Sequence, residues 1–152
     1  MAEILDTAVG FFEEDGWPFT QLEGQPVLQT GFLGKNGHWT CFAKGWDEQA
    51  ALAFYSVCPV NAPEDRRPAV AEFLTRANYG MLIGNFELDW MDGEIRFKTT
   101  ISVEGDRPSS TLMKELVYTN VLMMDMYLPG ILRVLYGDVS PAEAIAEIEE
   151  AG

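Results

Sequence analysis

Polar and apolar residues alternate strictly over two neighbouring stretches of the chain. Phe86, Leu88 and Trp90 alternate with Glu87 and Asp89, and Ile95, Phe97, Thr99 and Ile101 alternate with Arg96, Lys98 and Thr100. A period of two places one set on each face of a strand. Asp92-Gly93 lies between the two runs, and an Asp-Gly pair flanked by alternating strands is a strong hairpin signal. With a two-residue loop the spacing predicts Met91 opposite Glu94, Trp90 opposite Ile95, Asp89 opposite Arg96, Leu88 opposite Phe97 and Glu87 opposite Lys98. One face is then apolar, and the other carries two pairs of opposite charge. A slip of one residue would turn the charges onto the core, so the register is well specified.

Helical spacing governs the two ends of the chain. From Glu3 to Asp15, the residues Ile4, Leu5, Ala8, Phe11 and Phe12 form an apolar stripe, and Gly16 with Pro18 stops the helix. Four extended runs follow, Phe19 to Leu22, Val27 to Leu33, His38 to Lys44 and Leu52 to Val60. Lys35-Asn36-Gly37 predicts a hairpin turn through the ease with which Asn-Gly takes positive φ. Ala43 to Glu48 reads as a further connection. A second helix is predicted from about Pro63 to Tyr79, with Asn61 and Glu64 placed for a capping box. Pro68 fits only its first turn, so the regular helix starts as late as Asp65. Val70, Phe73, Leu74 and Ala77 make its buried face.

The last third is helical. Ser109 or Ser110 caps a long helix reaching about Gly137, with Leu112, Leu116, Met123, Tyr127, Ile131 and Val134 on one stripe. Pro129-Gly130 is expected to kink or split it. Gly105 to Pro108 is the loop before it. Ser140-Pro141-Ala142-Glu143 opens a final helix with Ser at the N-cap, Pro at the first position and Glu at the third, and Ala144, Ile145 and Ile148 make its apolar side. Helix, three or four strands, helix, two strands and helices predict an α+β domain over residues 1–152. Its sheet is a twisted antiparallel one with helices packed on one face.

Composition narrows the function. At 152 residues and 47% hydrophobic content, with nine Phe and four Trp, the chain can bury a core. Its net charge of −14 comes from 24 acidic and 10 basic residues. Such a charge repels phosphate backbones and anionic lipid, so neither nucleic acid nor a membrane surface is an expected partner. It suits solubility and also a surface that attracts a basic partner. The run from Val117 to Leu128 contains Asn120 and Asp125 and is too short to span a bilayer. The acidic opening Met-Ala-Glu-Ile-Leu-Asp lacks the basic start of a secretory signal. Two cysteines form no disulfide framework, and a cytoplasmic location is expected.

The blocks Arg76-Ala77-Asn78-Tyr79-Gly80, Gly84-Asn85-Phe86-Glu87-Leu88-Asp89 and Asp92-Gly93-Glu94-Ile95-Arg96-Phe97 resemble the YbjN family of bacterial proteins. Met124 to Pro129 and Ser140 to Ile145 match it as well, and the likeness runs from about Phe19 to Glu149. The resemblance implies a fold similar to that of type III secretion chaperones, which are small, acidic, usually dimeric and bind partly unfolded protein segments. The family is labelled a sensory-transduction or stress regulator without a defined reaction, and it brings no catalytic residues to carry over.

Candidate chemistry is sparse. A nucleophilic site would have to use His38, the one histidine, which reads as an exposed residue after a turn. Cys41 and Cys58 have no ligand-spaced partner and read as buried thiols. Asp89, Asp92 and Glu94 cluster at one turn without Ca²⁺-loop spacing, Asp92 serving the turn and Asp89 pairing with Arg96. Asn78 and Asn85 are placed to satisfy backbone groups between helix and hairpin. No catalytic, metal or cofactor site is expected. The long helix cannot bury every side, so Val121, Leu122 and Met126, with Asn85 and Tyr127, form the candidate partner or ligand surface. The expected function is a non-enzymatic, chaperone-like adaptor or regulatory protein, a homodimer that binds a protein segment by apolar contact or strand addition. The alternative is a small-molecule sensor with its ligand at the helix–sheet interface, oriented by Asn85 or Tyr127.

Overall fold

The computed structural model describes residues 3–102 and 109–151. Its elements are α1 (Glu3–Asp15), β1 (Thr20–Gln21), β2 (Val27–Leu33), β3 (His38–Trp46), β4 (Ala51–Val57), α2 (Arg67–Asn78), β5 (Asn85–Leu88), β6 (Ile95–Ser102), α3 (Ser110–Tyr136) and α4 (Pro141–Ala151). The strands form one sheet in the order β1-β2-β3-β4-β6-β5, with every neighbouring pair antiparallel. Alternation sorts the strands into two faces. Leu28, Trp39, Cys41, Leu52, Phe54, Ile95 and Phe97 are buried. They share the face on which α1 lies against β3 and β4, α3 against β4 and β6, and α2 against β5. The predicted α+β sandwich with helices on one face is the fold observed.

The β5–β6 register differs from the expected one by two residues. Phe86 pairs with Phe97, Glu87 with Arg96 and Leu88 with Ile95. The loop has four residues, Trp90 to Gly93, closed by the Asp89 N–H donating to the Glu94 carbonyl and the Gly93 N–H to the Asp89 carbonyl. Local side-chain bonds select this longer turn. The Asp89 carboxylate accepts the Met91 N–H and the Asp92 carboxylate accepts the Glu94 N–H. An even shift leaves each residue on its face, so the apolar side survives. Trp90 and Met91, however, move to the tip, 58% and 88% exposed.

Other boundaries move for tertiary reasons. The turn at Lys35-Asn36 forms without positive φ at Asn36 or Gly37. The Asp125 carboxylate of α3 accepts the N–H groups of Lys35 and Asn36 at 2.9 and 2.8 Å and holds the loop from outside. β3 runs on to Trp46, and the connection is Asp47 to Ala50, with Ala50 at φ 50°. The Asp47 carboxylate accepts the Ile4 N–H and so caps the start of α1. β4 ends at Val57; the Cys58 N–H still donates to the Ile95 carbonyl in the same register, and Pro59 beyond it has no N–H to offer.

Asn61 makes no capping box. Its amide donates to the Asp92 carbonyl, and a single 3-10 turn at Glu64–Arg66 precedes α2, which begins at Arg67 with Pro68 in its first turn. α3 is not split at Pro129. The missing N–H leaves the Asp125 carbonyl without its helical partner, and the Asn36 side chain donates to that carbonyl at 2.8 Å. Ser109 caps α3, and Ser140 caps α4 through the Glu143 N–H. The expected loop at Gly105 to Pro108 lies outside the described residues.

Candidate functional site

The nucleophile candidates are placed against reactivity. His38 is exposed at the start of β3 and lines an open depression with Leu33, Thr40, Val57 and Cys58. Cys58 is 2% exposed and burial pushes its thiol up to about 11. Burial pushes Cys41 up to about 12, and its sulfur lies 3.7 Å from the Ser56 hydroxyl. Both thiols therefore stay protonated at neutral pH, the reverse of an activated nucleophile. Asp89 does not pair with Arg96. Both it and Asp92 cap the hairpin turn, and no group of three or more potential metal ligands occurs among the described residues.

Asn78 closes one edge of the sheet. Its side-chain oxygen accepts the Phe86 N–H at 2.7 Å and its amide donates to the Phe86 carbonyl at 3.1 Å. A single side chain thus occupies both hydrogen-bonding groups that an added strand would use at the centre of β5. Asn85 donates to the same carbonyl at 3.2 Å. Asn78→Ala is expected to cost about 1–2 kcal/mol, from two lost bonds to partly buried backbone groups. It is also expected to make β5 self-associate. A urea melt and sedimentation across concentrations check both; an unchanged midpoint would remove Asn78 from this role.

The face of the sheet away from the helices is uncovered among the described residues. Phe42 faces Tyr55 across β3 and β4, and Tyr55 faces Lys98 across β4 and β6. The Arg96 guanidinium sits 4.3 Å from the Tyr55 ring centre, and Lys44 sits 5.0 Å from that of Trp46. Glu87 bridges Arg96 at 2.7 Å and Lys98 at 2.9 Å. Val27, Phe42, Lys44, Tyr55, Val57, Glu94 and Arg96 line a depression of about 210 Å³ on this face. Phe42, Tyr55 and Arg96 were not among the residues expected on a binding surface, although Phe42, Lys44 and Trp46 alternate with the buried Cys41 and Ala43. Burial alone would raise the Glu87 carboxyl, but hydrogen bonds from Lys98 and Arg96 outweigh it and hold the group below its ordinary 4.5. A lowered folded-state pKa gives stability that is present above the unfolded value and lost as pH falls through the folded one. Wild type is therefore expected to exceed Glu87→Gln in stability at pH 7, with the gap closing below about pH 4.5. Paired urea melts at pH 7 and pH 3 give the comparison, and a gap that stays constant would contradict it.

The five candidate surface residues are not brought together. Val121 and Tyr127 are buried in the core, which corrects their place on a surface. They fall on the stripe of α3 that faces the sheet and α2, where Tyr127 meets Phe73 and Phe86 edge-on. The Tyr127 hydroxyl donates to Glu149. Asn85 pairs with Lys98 on the opposite side of the sheet, so it and Tyr127 cannot clamp one ligand. Leu122 is 55% exposed and Met126 partly so, and both stay on the solvent side of α3 together with Leu112. Asn120, which reads in the sequence only as a polar break in an apolar run, is fully buried. Its amide lies 2.7 Å from the Phe54 carbonyl and 3.0 Å from that of Phe97, tying α3 to the middle of the sheet.

Among curated proteins nothing matches the chain. Solved structures share its fold. The crystal structure of YbjN from E. coli, titled "a putative transcription regulator", superposes with a TM-score of 0.65 at 16% identity, covering 83% of this chain and 89% of that one. ExsC, from the crystal structure of the ExsC-ExsE complex, superposes with a TM-score of 0.54 at 12% identity, covering 84% and 92%. The type III secretion chaperone-like architecture expected from the resemblance is thus the one observed. The model of the family described as "Putative bacterial sensory transduction regulator" matches residues 9–133. The chain belongs to the YbjN family.

Proposed function

We propose that this protein is a non-enzymatic adaptor or chaperone-like regulator that holds a segment of another protein, and that it works in the cytoplasm as a homodimer. The observation that carries the reading is the exposed apolar side of α3, where Leu112 and Leu122 are 42% and 55% exposed. Large apolar side chains left in water along one helix face suit a partner. The shared fold supports it, because ExsC was solved in complex with ExsE. No helix among the described residues is long and apolar enough to cross a membrane.

Affinity co-purification from native lysate at low and high salt, read by mass spectrometry, tests the reading. One recurrent near-stoichiometric protein is the expected result, and recovery of the bait alone would sink it. Light scattering at high micromolar concentration tests the homodimer, and a monomer there would remove it.

A further inference from the structure

The charge of this protein is divided between its two faces. α1 and α4 carry acidic residues and no basic one. The strands carry Lys44, Arg96 and Lys98 against the single acid Glu87. The two acidic helices meet α3 at separate points. The Asp15 carboxylate at the end of α1 accepts the Tyr118 hydroxyl, and Glu149 near the end of α4 accepts the Tyr127 hydroxyl. Tyr118 and Tyr127 are nine residues apart, about 13.5 Å along the axis and about two and a half turns, so the two acidic ends flank α3 on opposite sides. Leu122, Met123 and Met126 lie within that interval, exposed or partly exposed. Glu13 and Glu14 stand beside Asp15, and Glu150 beside Glu149, all exposed. The nearest cations of α3, Lys114 and Arg133, lie outside the interval, Arg133 being bound to Glu147.

We infer that the solvent side of α3 between Tyr118 and Tyr127 is the docking site for a basic amphipathic segment of the partner protein. This rests on the protein-binding reading and specifies its partner. An apolar residue of the segment covers Leu122 and Met126. Lysines or arginines on either side of it reach the acidic ends of α1 and α4. The segment crosses α3 from the α1 side to the α4 side, so its cations stand at its two ends. The axial offset alone, about 13.5 Å, exceeds the Debye length at about 0.15 M salt, roughly 8 Å, so each pole acts on its own cation. The uncovered sheet face suits such a segment less, because Lys44, Arg96 and Lys98 stand there against Glu87 and Glu94.

The test uses the full chain and three labelled twelve-residue peptides. Each has a leucine-rich centre, and the ends carry two lysines each, or glutamines, or glutamates. Anisotropy at 50 and 300 mM salt and amide-shift mapping by NMR are read together. The lysine peptide is expected to bind at least about tenfold more tightly than the glutamate peptide and to weaken about tenfold at the higher salt. Its shifts are expected at Glu13 to Asp15, Tyr118 to Tyr127 and Glu147 to Glu150. Leu122→Ser, at an exposed position, is expected to keep the wild-type melting temperature and weaken that peptide about tenfold. Equal binding of all three peptides, shifts confined to Phe42, Tyr55 and Arg96, or unchanged affinity in Leu122→Ser would overturn the site. A dimer that Leu122→Ser converts to monomer would assign the stripe to a second copy and overturn it too. If wild type and Leu122→Ser recover the same lysate partner, the protein-binding reading stands and this site falls. If neither recovers one and the lysine peptide fails to bind, both fall.

Discussion

Gly93→Ala is expected to destabilise this protein by about 3 kcal/mol or more, far beyond an ordinary glycine-to-alanine change. Gly93 holds φ +80° at the tip of the β5–β6 hairpin. The left-handed region costs an alanine about 1–2 kcal/mol by itself. The added cost is steric, since a Cβ there would lie inside the contact radius of the Ala62 carbonyl oxygen. That carbonyl cannot retreat easily. The Ala62 N–H donates to the Gly93 carbonyl at 2.8 Å, and Arg67 donates to the Ala62 carbonyl at 3.0 Å. Relieving the clash parts the hairpin tip from the chain leading into α2 and forfeits these bonds. Gly80→Ala is the control, because Gly80 holds φ +85° with nothing within 4 Å of its missing Cβ. It is expected to lose only about 1–2 kcal/mol. Urea midpoints of the two variants separate backbone strain from close approach. Equal losses would mean that Ala62 does not press on the turn.

Phe97→Ala is expected to cost about 3–5 kcal/mol, a third or more of the stability of a typical domain of this size. The ring is fully buried and meets Phe86 edge-on, with centres 4.8 Å apart. Its loss removes apolar transfer energy and leaves a cavity between β6 and the helices, and the aromatic pair adds about 0.5–1.5 kcal/mol. The backbone at this position is also engaged, since Asn120 reaches the Phe97 carbonyl at 3.0 Å. A cavity beneath that bond loosens α3 from the sheet. At about 2–4 °C per kcal/mol for a chain of this length, the melting temperature should fall by roughly 10 °C. Phe97→Leu keeps most of the volume and should lose clearly less. A fall of only a degree or two in Phe97→Ala would show that the core between β5, β6 and α3 is not packed as described.

Element order, the antiparallel sheet and the faces of the strands were legible because they follow from local periodicity. Alternation set the sides of Phe86, Phe97 and Thr99 whatever partner they had, and stripes at helical spacing set the buried sides of α1 and α2. Cap chemistry placed Ser140 and narrowed the α3 cap to Ser109 or Ser110, of which Ser109 is the one that caps, because an N-cap bond spans three residues. The family blocks around Asn78 to Phe97 were legible for the same reason. They encode a local helix-to-hairpin passage in which Asn78 reaches only as far as Phe86.

What the tertiary structure decided are the choices between local options of similar energy. The Asp92-Gly93 turn could close over two residues or four, and the side chains of Asp89 and Asp92, with Ala62 packed on the tip, selected four. Pro129 could have broken α3, but Asn36, ninety-three residues earlier in the chain, fills the bond that proline leaves empty. Val121 and Leu122 are adjacent and equally apolar, and only the docking of α3 on the sheet buries one and leaves the other in water. The division of charge, acidic on α1 and α4 and basic on the strands, is likewise a property of the assembled layers. Contacts distant in sequence decide these features, and no period or cap within a short window records them.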